Sequence, residues 1–303
     1  MSEASPNRIK TFGVLIVGTI AVSTAAPFIK LAEMHPLTLT TGRLLGVAIL
    51  YAFVGRDFVS EWRRLSRRDK RTLAFASPLL TGHFACWIGA FSYTDLPSAV
   101  LLLVLQPLFA SILGAHIFRE RVTRGIAVSL LVAVAGLALI VYDDLRFSTN
   151  HLIGDALVAL GAIFIISFLS VGKNLRPRLS FSSWMTLAYG GAGLWALALT
   201  LVFDAPIATY PTESYGWLLG MVVITTGIGH AALNYVLPYV RLFTVNLATV
   251  AEPVLSIIAA VLFLSETVTV AEIGGGALLI AALFLGVRDE LRPRAPLVDL
   301  EPG

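Results

Sequence analysis

Apolar residues run along this chain in ten blocks separated by short polar stretches: Phe12–Leu31, Leu37–Gly55, Leu73–Tyr93, Leu96–Phe118, Gly125–Tyr142, Ile153–Gly172, Ser182–Phe203, Tyr215–Tyr239, Leu242–Leu264 and Ala271–Val287. A helix needs roughly 20 such residues to cross a bilayer, so each block predicts one transmembrane helix. No polar block is long enough for a second domain. The pattern therefore predicts an all-α membrane protein of ten spans with a tail at 1–11, spans over 12–142 and 153–287, and a tail at 288–303. The first block is expected as a span and not as a cleaved signal sequence. It is too long for a signal core, and Pro27 sits where a small-residue cleavage site belongs.

Composition agrees with this pattern. The 303 residues are 57% apolar and 14% charged, with a mean hydropathy of +0.83. Soluble domains run about 45–50% apolar and about 25% charged. A water-soluble enzyme and a disordered chain are both excluded, because polar side chains are too few to cover a wetted surface. The lone cysteine, Cys86, permits no internal disulfide.

The net charge of +3 becomes informative once it is resolved by position. Nineteen of the 22 basic residues lie in the two tails and the even-numbered connections, seven of them in the 56–71 segment. Only Lys30 and Arg146 lie in odd-numbered connections, and Arg43 lies inside a span. That asymmetry predicts an even number of spans with both termini cytoplasmic. The basic 56–71 cluster reads as a topology determinant resting on lipid headgroups. It does not read as a nucleic-acid site.

A shift of 146 residues lays Leu96–Arg124 over Leu242–Val270 with eight identities in 29 positions. Among them Pro107 meets Pro253, Glu120 meets Glu266 and Thr123 meets Thr269. Tyr93 meets Tyr239 just before, each at the end of a span where an interface anchor belongs. Five spans per half is an odd number, so the second half must insert upside down. The charges follow: Arg119, Arg121 and Arg124 are replaced by Ser265, Thr267 and Val270. The predicted architecture is two inverted-topology five-helix repeats, as in many secondary transporters.

In the combination of ten spans in two halves, Gln106–Pro107 with Glu120, Glu252–Pro253 with Glu266, Pro36 seven residues before Arg43, and Gly154–Asp155, the chain resembles the EamA-type family of the drug/metabolite transporter superfamily. The resemblance spans essentially the whole chain. It implies a secondary transporter of the inner or plasma membrane, mostly an exporter of small metabolites such as amino acids, or of toxic compounds. It also implies that the third and eighth spans line a central cavity.

Polar groups inside a bilayer are costly and mark transport pathways, so the few present here are the site candidates. Glu252 is the only mid-span carboxylate. It is a candidate for exchanging protons or for holding a cationic part of a substrate, against a structural role satisfied by backbone opened at Pro253. Gln106 is its neutral counterpart, either a cavity hydrogen-bonder or a tie between helices. His83 and Trp87 are spaced i, i+4, and His230 and Asn234 repeat the spacing on the eighth span. The two histidines are the other proton-coupling candidates. Trp87 suits stacking on a substrate ring or cation. Thr249 shares the face of Glu252. Arg43 either snorkels, pairs with helix ends or binds a substrate carboxylate. Pro107, Pro253, Glu120 and Glu266 read as structural, the two glutamates complementing the helices that follow them. Ser23, Thr24 and Pro27 either open the first helix toward the cavity or allow close packing.

Two histidines alone make a poor metal site, so neither a metal nor a cofactor is expected. No nucleophile or phosphate-loop motif is present, which excludes a phosphate-driven pump; an intramembrane enzyme stays as the alternative class, with His83 and His230 as its only start and no third ligand. The expected partners are a small-molecule substrate, the bilayer and protons. Gly274–Gly276 suit tight helix contact, within the chain or between two copies in a homodimer.

Overall fold

The computed structural model describes residues 8–93, 99, 102–141, 149–252, 255 and 270–291. Those residues form helices and connecting turns, with no strand among them. The helices are α1 (Arg8–Val22), α2 (Ala25–Ala32), α3 (Pro36–Val54), α4 (Phe58–Arg64), α5 (Arg67–Ala90), α6 (Leu105–Phe118), α7 (Arg124–Val141), α8 (Thr149–Leu175), α9 (Phe181–Val202), α10 (Thr212–Gly220), α11 (Ala231–Val236), α12 (Leu242–Ala248) and α13 (Val270–Leu291). Six helical stretches among the described residues are long and apolar enough to cross a membrane: Ile9–Ala32, Pro36–Val54, Arg67–Ala90, Leu152–Arg178, Phe181–Val202 and Thr212–Val236. Leu105–Phe118 and Arg124–Gly136 are shorter apolar helices. Large apolar side chains such as Phe53, Phe75, Leu131, Leu194 and Phe284 point outward, as a protein surrounded by hydrocarbon requires.

Caps explain several helix starts. Ser66 accepts the Asp69 N–H and opens α5, and Ser180 accepts the Ser183 N–H and opens α9. His35 precedes α3, whose first residue, Pro36, has no N–H to leave unsatisfied.

The helices also break where the sequence marks them. The first span divides into α1 and α2 at Ser23 and Thr24, whose hydroxyls donate to the carbonyls of Thr19 and Ala21. The eighth span is α10, a π-helical segment over Met221–His230 and α11, so the helix is underwound at its centre. Two 3₁₀ turns, Leu102–Val104 and Thr249–Ala251, precede Gln106–Pro107 and Glu252 at matching places in the two halves.

The packing between helices repeats the symmetry of the sequence. With the spans numbered as the sequence predicts them, the second (α3) packs on the seventh (α9), the fourth (α6) on the ninth (α12), and the fifth (α7) on the tenth (α13). Each of these pairs maps onto itself when the halves are exchanged. The third span (α5) packs on the sixth (α8), and the first (α1) on the eighth. Those two pairs exchange with each other. The contacts therefore follow a pseudo-twofold relation between the halves.

Small residues permit the close crossings. A Cβ on Gly229 would lie 2.8 Å from the Val22 nitrogen, and one on Gly136 would lie 2.8 Å from the Gly275 carbonyl oxygen. The Gly274–Gly276 stretch thus serves a contact inside the chain. Gly227 and Gly229, whose spacing mimics part of a nucleotide-binding fingerprint, lie in the π segment and do packing work.

Polar bonds between connections respect an even and odd division. At one end Asp69 pairs with Arg178 at 2.6 Å, Glu61 accepts the Ser180 N–H, and Thr123 donates to Asp289. At the other end the Tyr210 hydroxyl accepts the His35 N–H, and Thr38 donates to the Pro206 carbonyl. The first set joins even-numbered connections and the C-terminal helix, and the second joins odd-numbered ones. The short helix α4, which block counting leaves inside a connection, sits at the basic end with Arg63 and Arg64 in its last turn.

Candidate functional site

A small cavity of about 40 Å³ lies where the two halves meet. Arg43 on α3, His83 and Trp87 on α5, and Gln106 on α6 reach it from the first half. His230 at the end of the π segment, Asn234 on α11, and Glu252 beside the 3₁₀ turn reach it from the second. These seven sequence candidates are brought together, and all are buried. The broken first span contributes Val22 and Ala25, the residues flanking its break.

The two histidines meet across the halves, their ring centroids 6.2 Å apart. Phe84 lies against both, at 4.9 Å from His83 and 5.0 Å from His230. The Arg43 guanidinium sits over the same Phe84 ring at 4.3 Å, a cation–π contact out of water. His83 Nδ1–H donates to the Gly161 carbonyl at 3.0 Å, which leaves Nε2 as the acceptor nitrogen of the neutral ring. Arg43 Nε donates to the Thr226 hydroxyl. Glu252 lines the same cavity as Arg43. Among the described residues, no ion pair joins the two. Trp87 is packed inside the bundle, edge-on to Phe91 at 5.2 Å.

Asn234 is placed on the cavity, but both ends of its amide are engaged. Its Oδ1 accepts from Trp184 Nε1 at 2.9 Å, and its Nδ2 donates to the Tyr189 hydroxyl at 3.2 Å and the His230 carbonyl at 2.9 Å. The residue therefore ties the eighth span to α9 beside the cavity. Asn234→Ala is expected to lower the melting temperature in detergent. It strips partners from two fully buried polar groups, at about 1–3 kcal/mol each. An unchanged melting curve would refute this tie.

The residues read as structural are distributed differently. Pro107 is the third residue of α6, within the first turn, where N–H groups have no helical partner to lose. Glu120 differs from the expectation that it complements its own following helix. Its carboxylate accepts the N–H of Leu242, the first residue of α12 in the other half, and pairs with Lys173 at 2.5 Å. A fold-level contact between halves wins over the local helix dipole. Pro253, Glu266 and the side chain of Thr249 lie outside the described residues.

Sequence reasoning missed Thr226, Phe84, Gly161 and Lys173. The first two were within reach of it: Thr226 stands four residues before His230, and Phe84 adjoins His83. Nothing local marks Gly161 or Lys173, whose partners lie on distant elements. Among the described residues, no group of three or more His, Cys, Asp or Glu is placed to hold a metal.

Comparison with known proteins gives this arrangement its context. The model of the EamA-like transporter family matches twice, over residues 10–142 and 152–288, once in each half. An uncharacterized transporter of Archaeoglobus fulgidus is 24% identical over 279 residues, 91% of this chain and 95% of that protein. An uncharacterized transporter of Synechocystis sp. is 25% identical over 266 residues, 84% of this chain and 76% of that protein. A biotin transporter of Salmonella typhimurium is 28% identical over 149 residues, 48% of this chain and 49% of that protein. A solved crystal structure shares the fold at a TM-score of 0.76 with 15% identity, over 94% of this chain and 98% of its own. With both repeats matched and its relatives named as transporters, the chain is a multi-pass membrane transporter, not an enzyme, and belongs to the EamA-like transporter family of the drug/metabolite transporter superfamily.

Proposed function

We propose that this transporter exports a small metabolite, an amino acid or a related compound, across the cell membrane by alternating access, with Glu252 as the proton-coupling group. The observation that carries the reading is the convergence of polar side chains from both halves on one cavity at their interface. A pseudo-symmetric pair of halves rocking around such a midplane site is how inverted-repeat transporters work. Ten spans with both termini in the cytoplasm complete the reading. The one-sided distribution of basic residues and the even and odd division of the polar bonds support it.

The cavity is closed down. Its volume of about 40 Å³ admits water-sized groups, whereas metabolite sites run to about 300 Å³ or more. Binding therefore requires the halves to part on one side. Glu252 and the facing histidines offer a proton acceptor and a counter-charge for a substrate amine. The aromatic share of the lining, Phe84 and Trp87, favours as a second reading the export of apolar toxic compounds.

Counterflow decides between transport and passive leak. Purified protein in liposomes preloaded with unlabelled leucine, phenylalanine or biotin is expected to accumulate the matching labelled compound transiently. Biotin is included because half of the chain resembles proteins named as biotin transporters. Labelled compound that only equilibrates, with no overshoot, would sink the reading for this panel.

A further inference from the structure

Arg43 is fully buried, yet only one of its three guanidinium nitrogens is hydrogen-bonded. Nε is bonded to Thr226 and the plane rests on Phe84, but Nη1 and Nη2 are buried without a hydrogen-bond partner. A buried cation with idle donors is costly, so a ligand that satisfies them is stabilised there. The neighbouring carboxylate, Glu252, lines the same cavity without closing an ion pair on Arg43. The paired donors of a guanidinium edge match the two oxygens of a carboxylate, which a lysine ammonium does not reproduce. Thr226 and Phe84 hold the group in place from two sides, so little side-chain freedom is lost when an anion arrives.

We propose that the cavity recognises a single carboxylate group on its substrate, held by Nη1 and Nη2 of Arg43. The proposal rests on the transporter reading of this cavity and names the substrate class it takes. Arg43 is the only Lys or Arg among the described lining residues, so one negative group is accommodated. When ionised, Glu252 repels a second carboxylate and attracts an amine, so monocarboxylates and zwitterionic amino acids are favoured over dicarboxylates.

Matched probe pairs test this on the unaltered protein: leucine against leucinol, phenylalanine against phenylalaninol, and hexanoate against hexanamide. Binding is read by the rise in melting temperature, and exchange by counterflow in liposomes. At least one acid is expected to bind at least about tenfold more tightly than its partner without the carboxylate, the effect of a hydrogen bond to a charged group. Arg43→Gln is expected to erase that preference. Arg43→Lys, which keeps the charge and loses the fork, is expected to retain part of it. Equal binding within every pair, or binding by none of the six probes, overturns the proposal whether or not the variants fold. Acid preference without counterflow upholds the Arg43 assignment while removing the transporter reading. Counterflow without acid preference does the reverse.

Discussion

In liposomes carrying a pH step of one unit, the Glu252→Gln variant is expected to lose proton-driven accumulation while still exchanging substrate in counterflow. One coupled proton moving down one pH unit supplies about 1.4 kcal/mol, enough for a concentration ratio of about ten. The unaltered protein should approach that ratio, and Glu252→Gln should stay near one. The separation follows from the structure. Glu252 is 4% exposed and stands at the cavity with Arg43 beside it. Glutamine preserves the shape and much of the hydrogen bonding of the side chain but carries no titratable proton. Exchange is read with hexanoate, which has no amine for Glu252 to attract, so it needs only the cavity and the rocking of the halves. His83→Gln and His230→Gln are the controls, because the two rings meet at the same place. Retained accumulation in Glu252→Gln with loss in a histidine variant would move the coupling role to the imidazoles. Retained accumulation in all three would remove proton coupling at this site.

Much of this arrangement was written in the chain because a bilayer leaves few ways to hide polarity. Glu252, Arg43 and Gln106 stand out in apolar blocks, and the cost of exposing them to hydrocarbon leaves the bundle interior as their place. The duplicated His83 and His230 were legible for the same reason, and their meeting at 6.2 Å follows from the inverted repeat. What stayed hidden is local backbone geometry and long-range pairing. Nothing in Met221–His230 distinguishes a π segment from an α-helix by periodicity, since its residues are apolar or small in either case. Asn234 read as cavity lining, and its tie to α9 stayed hidden because its partners, Trp184 and Tyr189, belong to a span about 50 residues earlier. Glu120 read as a local helix complement for the same reason. Its partner N–H lies 122 residues away, at the start of α12.

That pairing leads to the second large effect. Locking Glu120 to Lys173 is expected to stop transport, and releasing them to restore it. Glu120 closes the fourth span and Lys173 the sixth, while the Glu120 carboxylate also holds the first N–H of α12 and Lys173 donates to the Val240 carbonyl at 2.9 Å. Beside them Asp289 joins Arg241 at 3.4 Å and Thr123 at 2.8 Å, which brings the fifth and tenth spans into the same network. The network therefore clamps elements of both halves together at the end that carries the basic residues. Alternating access requires that end to part once per cycle, so these bonds must break and re-form. The pair is largely shielded from water, with 17% and 14% of the two side chains exposed. Removing one partner alone leaves an uncompensated charge, at about 3–5 kcal/mol. Alanine variants would therefore confuse instability with altered gating. A cross-link avoids this difficulty. On a Cys86→Ser background, Glu120→Cys with Lys173→Cys joined by a short bifunctional thiol reagent should give folded protein whose counterflow falls to the level of empty liposomes. Cleaving the linker with a reductant should return it. Undiminished counterflow in fully cross-linked protein would show that this end stays shut throughout transport, and would overturn alternating access through it.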